Sequence, residues 1–366
     1  MKILIIGFAK IKYMPYLNLY LDNIDIENND VHLMYWDRDG GIDKTISPSV
    51  KIHVFKESLE DELPKYKKLG AFRRFTNAAK ELIKKENFDF IISLTSIPTV
   101  LLSSVLLRRY REKYIFDYRD YTFEWIKPYK ALIAKLVENS AMTVYSSEKH
   151  LDFLPESEKL FIAHNFIKSS LEYKKEKSFE KLDGQPIRIS YWGILRNEDF
   201  NKNVIDKFAN DSRFEISFYG KKQKTVENLE AYCKQQNISN IHFYGEYQEE
   251  DRYTFAENTD ILYNLYSVSG TEGMAMGNKF FDGVIFQIPQ ICTKGSYMGE
   301  KAEEYGVGCA ADVNSTGLSD DVYKYYCGLK FDKFREKCRK VENMLIEDYE
   351  NTVSTIKLNC IKKIGE

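Results

Sequence analysis

The chain is 366 residues long, 43% hydrophobic, and carries a formal net charge of −2. That length exceeds one ordinary core and predicts two domains, while the near-neutral balance excludes a dedicated nucleic-acid binder, which needs a strong basic excess. No apolar run reaches the roughly 18 residues that cross a bilayer; the longest, Ser93–Leu107, is broken by Ser, Thr and Pro and closed by Arg108 and Arg109.

The first residues, KILIIGF (Lys2–Phe8), form a continuous apolar run ending at a glycine. Such a run reads as a buried parallel strand entering a loop. Similar strands are predicted at Val31–Trp36, Lys51–Phe55, Phe90–Ser93, Tyr114–Asp117, Met142–Tyr145 and Leu160–Ala163. Helical stretches fall between them at Gly70–Lys85, Pro98–Arg111 and Pro128–Ser140. This alternation predicts a doubly wound parallel sheet, with ligands at the carboxyl ends of its strands. Lys168–Pro186 is charged, poor in large apolar groups and ends in Asp183-Gly184-Gln185-Pro186, so it reads as a linker.

Alternation restarts at Ile187–Trp192, which again ends in a glycine, Gly193. Strands follow at Phe214–Tyr219, Ile241–Tyr244, Ile261–Leu265, Gln290–Thr293 and Gly308–Ala311, and Asp332–Ile364 reads as one or two amphipathic helices. The expected division is an N-terminal domain over 1–167, the linker 168–186, a second domain over 187–340 and a helical tail over 341–366. The six cysteines lie in the second half without a CxxC pair, so neither a zinc site nor a redox motif is indicated. With no signal-peptide pattern at the start, reduced thiols in a cytoplasmic protein are expected.

Between Gly277 and Pro289 (GNKFFDGVIFQIP) a loop ends and a helix begins. It offers a glycine turn, a cation in Lys279 and a carboxylate in Asp282. Loop amides and a cation suit a diphosphate, and a carboxylate suits sugar hydroxyls. The plainer reading is a helix capped by Asn278 with a solvated lysine.

At this point the chain resembles the GT-B glycosyltransferases, most of all the retaining family 4 enzymes of bacterial surface polysaccharide synthesis. The resemblance runs over nearly the whole chain on several short motifs: FDFIISLTS, YIFDYRDY, MTVYSSE and KLFIAHN in the first half, then RISYWGILRN, IHFYGEYQEEDRYTFAENTDILYNLY and NKFFDGVIFQIPQI. It implies an α/β fold of two Rossmann-like domains facing across a cleft, with C-terminal helices crossing back to the first. It further implies a metal-independent, retaining hexosyltransferase with no cofactor beyond its nucleotide-sugar donor, expected to be UDP-linked, and a glycan or polyprenyl-linked acceptor. Arg196 and Lys202 match the family's diphosphate pair after the Gly193 turn. Asp282 matches the carboxylate that holds ribose hydroxyls, with Gly277, Asn278 and Lys279 on the same donor segment; Tyr247, after Gly245, is a candidate to pack against the base, a buried tyrosine in a strand-end loop being the plainer reading. The family's first acidic position falls on Met274, so Glu272, two residues earlier, is the candidate to replace it; Gln287 stands where the family has glycine.

Arg and Lys neutralise a departing diphosphate, the former bidentately and the latter as a point charge. Two solvated loop cations are the plainer alternative. In the first half, Asp117 and Asp120 flank Arg119 at a strand end, where a carboxylate can orient or deprotonate an acceptor hydroxyl; an Asp–Arg ion pair is the structural alternative. Gly7 is expected to let substrate approach the backbone. His164 and Asn165 resemble a recurring His-Asn pair, read as packed hinge residues.

The stretch Lys65–Lys85 gathers eight cations (Lys65, Lys67, Lys68, Arg73, Arg74, Lys80, Lys84 and Lys85) with Leu69, Phe72 and Phe75 interleaved. This suggests contact with an anionic membrane, at the inner face of the plasma membrane, against the alternative of a solvated helix face. Two rival functions remain open: a UDP-sugar 2-epimerase, which needs clustered carboxylates and a histidine, and a non-catalytic partner of another transferase. A dehydrogenase is disfavoured, because neither Gly7 nor Gly193 opens a GxGxxG turn.

Overall fold

In the computed structural model the described residues are 1–59, 65–173, 184–269 and 272–360, the side chains of 65–67 excepted. They divide into two compact units, Met1–His164 with Leu345–Glu366, and Asn165–Met344. Part of the expected linker (174–183) and the last residues of the tail (361–366) lie outside the described residues.

The first unit is a parallel sheet of seven strands: β1 (Lys2–Ile6), β2 (Asp30–Asp37), β3 (Lys51–Lys56), β4 (Phe90–Leu94), β5 (Tyr114–Tyr118), β6 (Met142–Tyr145) and β7 (Leu160–Ile162). Their order across the sheet is β3-β2-β1-β4-β5-β6-β7. Side-chain alternation along β1 shows why a continuous apolar run is needed. Ile3 and Ile5 enter the core on one face, Leu4 and Ile6 the core on the other, and all four are fully buried.

The helices are α1 (Asn18–Leu21), α2 (Lys65–Glu86), α3 (Ser96–Leu101), α4 (Ser103–Arg109) and α5 (Lys127–Glu138). The single helix expected over Pro98–Arg111 is two, because Leu102 leaves helical backbone angles between them. In α2, Phe75 is buried and stacks on Trp36 at 5.4 Å, and Phe72 meets Phe8 edge-on at 5.2 Å. The aromatic residues interleaved in this basic helix therefore serve the core; Leu69 stays exposed.

The second unit repeats the plan. Strands β8 (Ile187–Trp192), β9 (Phe214–Tyr219), β10 (Ile241–Tyr244), β11 (Ile261–Asn264), β12 (Gln290–Thr293) and β13 (Gly308–Ala311) form a parallel sheet ordered β10-β9-β8-β11-β12-β13. Helices α6 (Glu198–Phe208), α7 (Lys224–Gln235), α8 (Asp251–Glu257), α9 (Asn278–Ile285), α10 (Tyr297–Tyr305) and α11 (Leu318–Gly328) complete it. Chain order reverses between β1 and β4 in one sheet and between β8 and β11 in the other. Each reversal is the switch point where an open α/β sheet leaves a crevice for ligand.

The expected tail is one helix, α12 (Phe331–Cys360). From Leu345 onward it belongs to the first unit, as a C-terminal helix crossing back requires. Val353, Ile356 and Cys360 join the cluster of Ile3 and Ile5, and Thr352 donates to the Ile162 carbonyl at 2.6 Å. His164 pairs with Asp348 at 3.0 Å, which makes it a packed tether. Among the described residues no helix is long and apolar enough to cross a membrane.

Candidate functional site

Three neighbouring strands of the second unit end alike: Tyr191-Trp192-Gly193, Phe218-Tyr219-Gly220 and Phe243-Tyr244-Gly245. The glycines form a floor across the carboxyl ends of β8, β9 and β10. Gly193 N–H donates to the Tyr219 carbonyl at 2.9 Å, and Gly220 N–H to the Gly245 carbonyl at 3.1 Å. A side chain on Gly220 would run into the Gly193 carbonyl, while Gly245 borders open space. Gly193 has φ +140°, a conformation other residues avoid.

The rings before these glycines build a wall. Tyr219 stacks on Phe255 at 3.8 Å and on Tyr244 at 4.7 Å, and Tyr247 meets Phe255 edge-on at 5.4 Å. Tyr244 is 45% exposed, so this column reaches the surface. Burial pushes the Tyr247 hydroxyl up to about 12, keeping it neutral.

Lys279, in the first turn of α9, lies over the switch point. Its Nζ is 4.2 Å from the centre of the Tyr191 ring, on β8, and 5.2 Å from that of Tyr266, just beyond β11. A Cβ on Gly193 would come within 3.1 Å of the same nitrogen. No hydrogen bond or ion pair holds this ammonium among the described residues. Desolvation by the surrounding protein pushes its pKa down to about 8, against the pull of Asp282 and with the help of the Arg196 guanidinium. Arg196 itself is exposed just past the Gly193 turn. The half-buried Glu272, in a short 3-10 turn, is near enough to Tyr191 for its charge to raise that hydroxyl's pKa, burial being the larger cause. The fold thus gathers Gly193, Arg196, Lys279, Glu272 and Tyr247 at one strand-end crevice.

Asp282 does not present itself there. It is 3% exposed, and its Oδ2 accepts the Trp192 indole N–H at 2.8 Å while Oδ1 accepts Arg252 at 2.7 Å. The carboxylate is a strut tying β8 and α8 to α9, buried and with an internal partner on each oxygen where the expectation was a ribose contact. Lys202 also points elsewhere: it pairs one turn back with Glu198 at 2.5 Å, and Glu198 also accepts Asn228 of α7 at 2.6 Å. Gly277, and not Asn278, is the N-cap of α9, without a side-chain bond; Asn278 is its first, exposed residue.

In the first unit Asp117 takes the ion-pair role. It is fully buried, bonded to the Arg119 guanidinium, and accepts the Tyr20 hydroxyl at 2.7 Å. Asp120 stands exposed at the end of β5. Crowding by protein raises its carboxyl above the usual aspartate range; Arg119 opposes the rise, and the like charges Asp117 and Glu124 add to it. Beside Gly7 the space a side chain would fill is taken by Met14, so that glycine serves packing. Across the β1/β4 switch point Thr95 holds φ +72° and ψ 164°, a strained region that β-branched residues rarely occupy. Among the described residues no cluster of His, Cys, Asp and Glu could hold a metal ion.

Sequence reasoning missed Gly220, Tyr191, Tyr219, Tyr244 and Tyr266. The ring-ring-glycine endings of three successive strands are the signal that would have found most of them.

No family profile matches the chain, and no curated protein matches it by sequence. Solved structures do match in shape. The lipopolysaccharide outer core galactosyltransferase WaaB superposes with a TM-score of 0.68 at 14% identity, covering 97% of this chain and 99% of that one. Anabaena Alr3699/HepE, solved in complex with UDP and glucose, gives 0.64 at 13% identity, covering 98% and 97%. UDP-GlcNAc 2-epimerase from Neisseria meningitidis, bound to UDP-GlcNAc, gives 0.59 at 11% identity, covering 97% and 99%. With these likenesses, the two Rossmann-like units make the fold GT-B.

Proposed function

We propose that the chain is a glycosyltransferase that binds a UDP-linked sugar on its second unit and passes the sugar to a glycan or lipid-linked glycan acceptor. The observation that carries this reading is the Lys279 ammonium, set over a glycine floor at a switch point with aromatic rings as its nearest partners. A cation so placed wants a ligand anion, and the floor lets a diphosphate approach the backbone. Arg196 supplies a second charge, and the Tyr219–Tyr244 column offers a flat apolar surface for a base. The galactosyltransferase WaaB, similar in fold, lends the reading its reaction class, and HepE, solved with UDP and glucose, lends it the nucleotide.

Metal-independent transfer with retention follows from the family resemblance, Arg196 and Lys279 standing in for a metal's charge. Asp120 is the acceptor-side candidate, because it stands exposed just past the end of β5 and its pKa is raised, which favours a group that takes up a proton. A role in surface polysaccharide synthesis at the inner face of the plasma membrane fits α2, whose outer side carries exposed Leu69, Arg73 and Lys84. Calorimetric titration of UDP, GDP and ADP, with and without Mg²⁺, tests the reading: it expects UDP to bind in both conditions, and absence of nucleotide binding would sink it.

A non-catalytic GT-B partner is the second reading, favoured by Met274 at the family's first acidic position and by the closed Asp282. The epimerase reading has the Neisseria likeness behind it. The second unit's histidine, His242, lies on β10 against Glu215 at 3.3 Å.

A further inference from the structure

Lys279 is unusual among the cations of the second unit in what surrounds it. Tyr191 faces it from β8, Tyr266 from the end of β11, and Arg196 acts on it from the turn after β8. The acid on its own helix, Asp282, is already shared between Trp192 and Arg252. Glu272 acts on Tyr191 and makes no ion pair with the lysine. The half-buried ammonium therefore has two ring faces beside it and, in its favour, only the charge of an already shared Asp282, which replace its lost hydration only in part.

We propose that diphosphate binding at this site is coupled to protonation of Lys279, so that a nucleoside diphosphate enters together with a proton drawn from solvent. This rests on the donor-site reading above and adds how that site is regulated. The free protein divides between neutral amine and ammonium in mildly alkaline solution, where Lys279 titrates near 8. A diphosphate brings the missing counter-charge to the nitrogen, and the complex holds the proton far more tightly. The sign follows: affinity is full when Lys279 is already charged and falls as pH rises through its free pKa. Other groups of the site leave that window clear. Burial lifts the hydroxyls of Tyr191, Tyr247 and Tyr266 above their ordinary range, and the phosphate's own second ionisation, near pH 6, is complete below it.

The test is calorimetric titration of UDP into the full chain at pH 7, 8 and 9, in buffers of different ionisation enthalpy, with uridine as the phosphate-free control. The expected result is uptake of about half a proton at pH 8 and a Kd about tenfold weaker at pH 9 than at pH 7. Uridine should show no uptake. Lys279→Arg, which stays charged throughout, should bind UDP with a flat pH profile. UDP binding with no uptake and an unchanged Kd would overturn the coupling and leave the donor site standing. A wild-type slope in Lys279→Arg would overturn it as well, by assigning the proton to another group. Absence of UDP binding at every pH would overturn both readings.

Discussion

Asp282 accepts the indole N–H of Trp192 at 2.8 Å, both residues being almost wholly buried. With Arg252 on its other oxygen, this carboxylate holds the donor-side helix α9 against β8. Breaking a buried pair leaves an uncompensated charge, at about 3–5 kcal/mol. Asp282→Ala should therefore lower the urea midpoint sharply, and Arg252→Ala should do the same. A variant of near-native stability that has lost only nucleotide affinity would restore the ribose-binding role.

Gly193 should behave in the opposite way. Gly193→Ala forces a side chain into φ +140° and toward Lys279 Nζ. The expected stability loss is modest, about 1–2 kcal/mol, while UDP affinity drops by more than tenfold. Denaturation and calorimetry on the same preparation separate the two effects.

The strands were legible because burial on both faces demands continuous apolar runs, and runs such as KILII are short and end at a glycine. All thirteen appear where expected, with ends differing by a few residues. The side-chain assignments were less legible. Spacing puts Asp282 and Lys202 near the donor segment, but Trp192 and Arg252 lie 90 and 30 residues from Asp282 in sequence. Nothing local announces that they converge on it. Lys202 is claimed by an i,i+4 partner, Glu198, whose presence the sequence did show.

Lys202→Ala should thus change UDP affinity less than twofold. Its pair with Glu198 is a partly exposed helix pair, worth about 0.3–0.5 kcal/mol. A tenfold loss of UDP affinity would reinstate the residue as a phosphate ligand.

Asp120 carries a signed pH prediction. Its folded pKa lies above the ordinary aspartate value, so the folded chain holds this proton more tightly than the unfolded chain. The carboxylate therefore destabilises the fold at neutral pH, and the penalty fades as pH falls through the raised pKa to the unfolded value. Asp120→Asn should raise Tm at pH 7, with the gain vanishing at low pH, and should depress transfer to acceptor while UDP affinity holds. Unchanged transfer would remove it from the acceptor side.

Lys279→Met offers the most direct measurement. Removing a poorly solvated ammonium should leave the unliganded protein as stable as wild type or more so, while UDP affinity falls by about 10²-fold, the scale of one lost charge-assisted phosphate contact of about 3 kcal/mol. Paired thermal melts and UDP calorimetry on this one variant decide the matter. A stable variant with weakened UDP binding is the predicted result. A stable variant that binds UDP as wild type does would contradict the site proposed here.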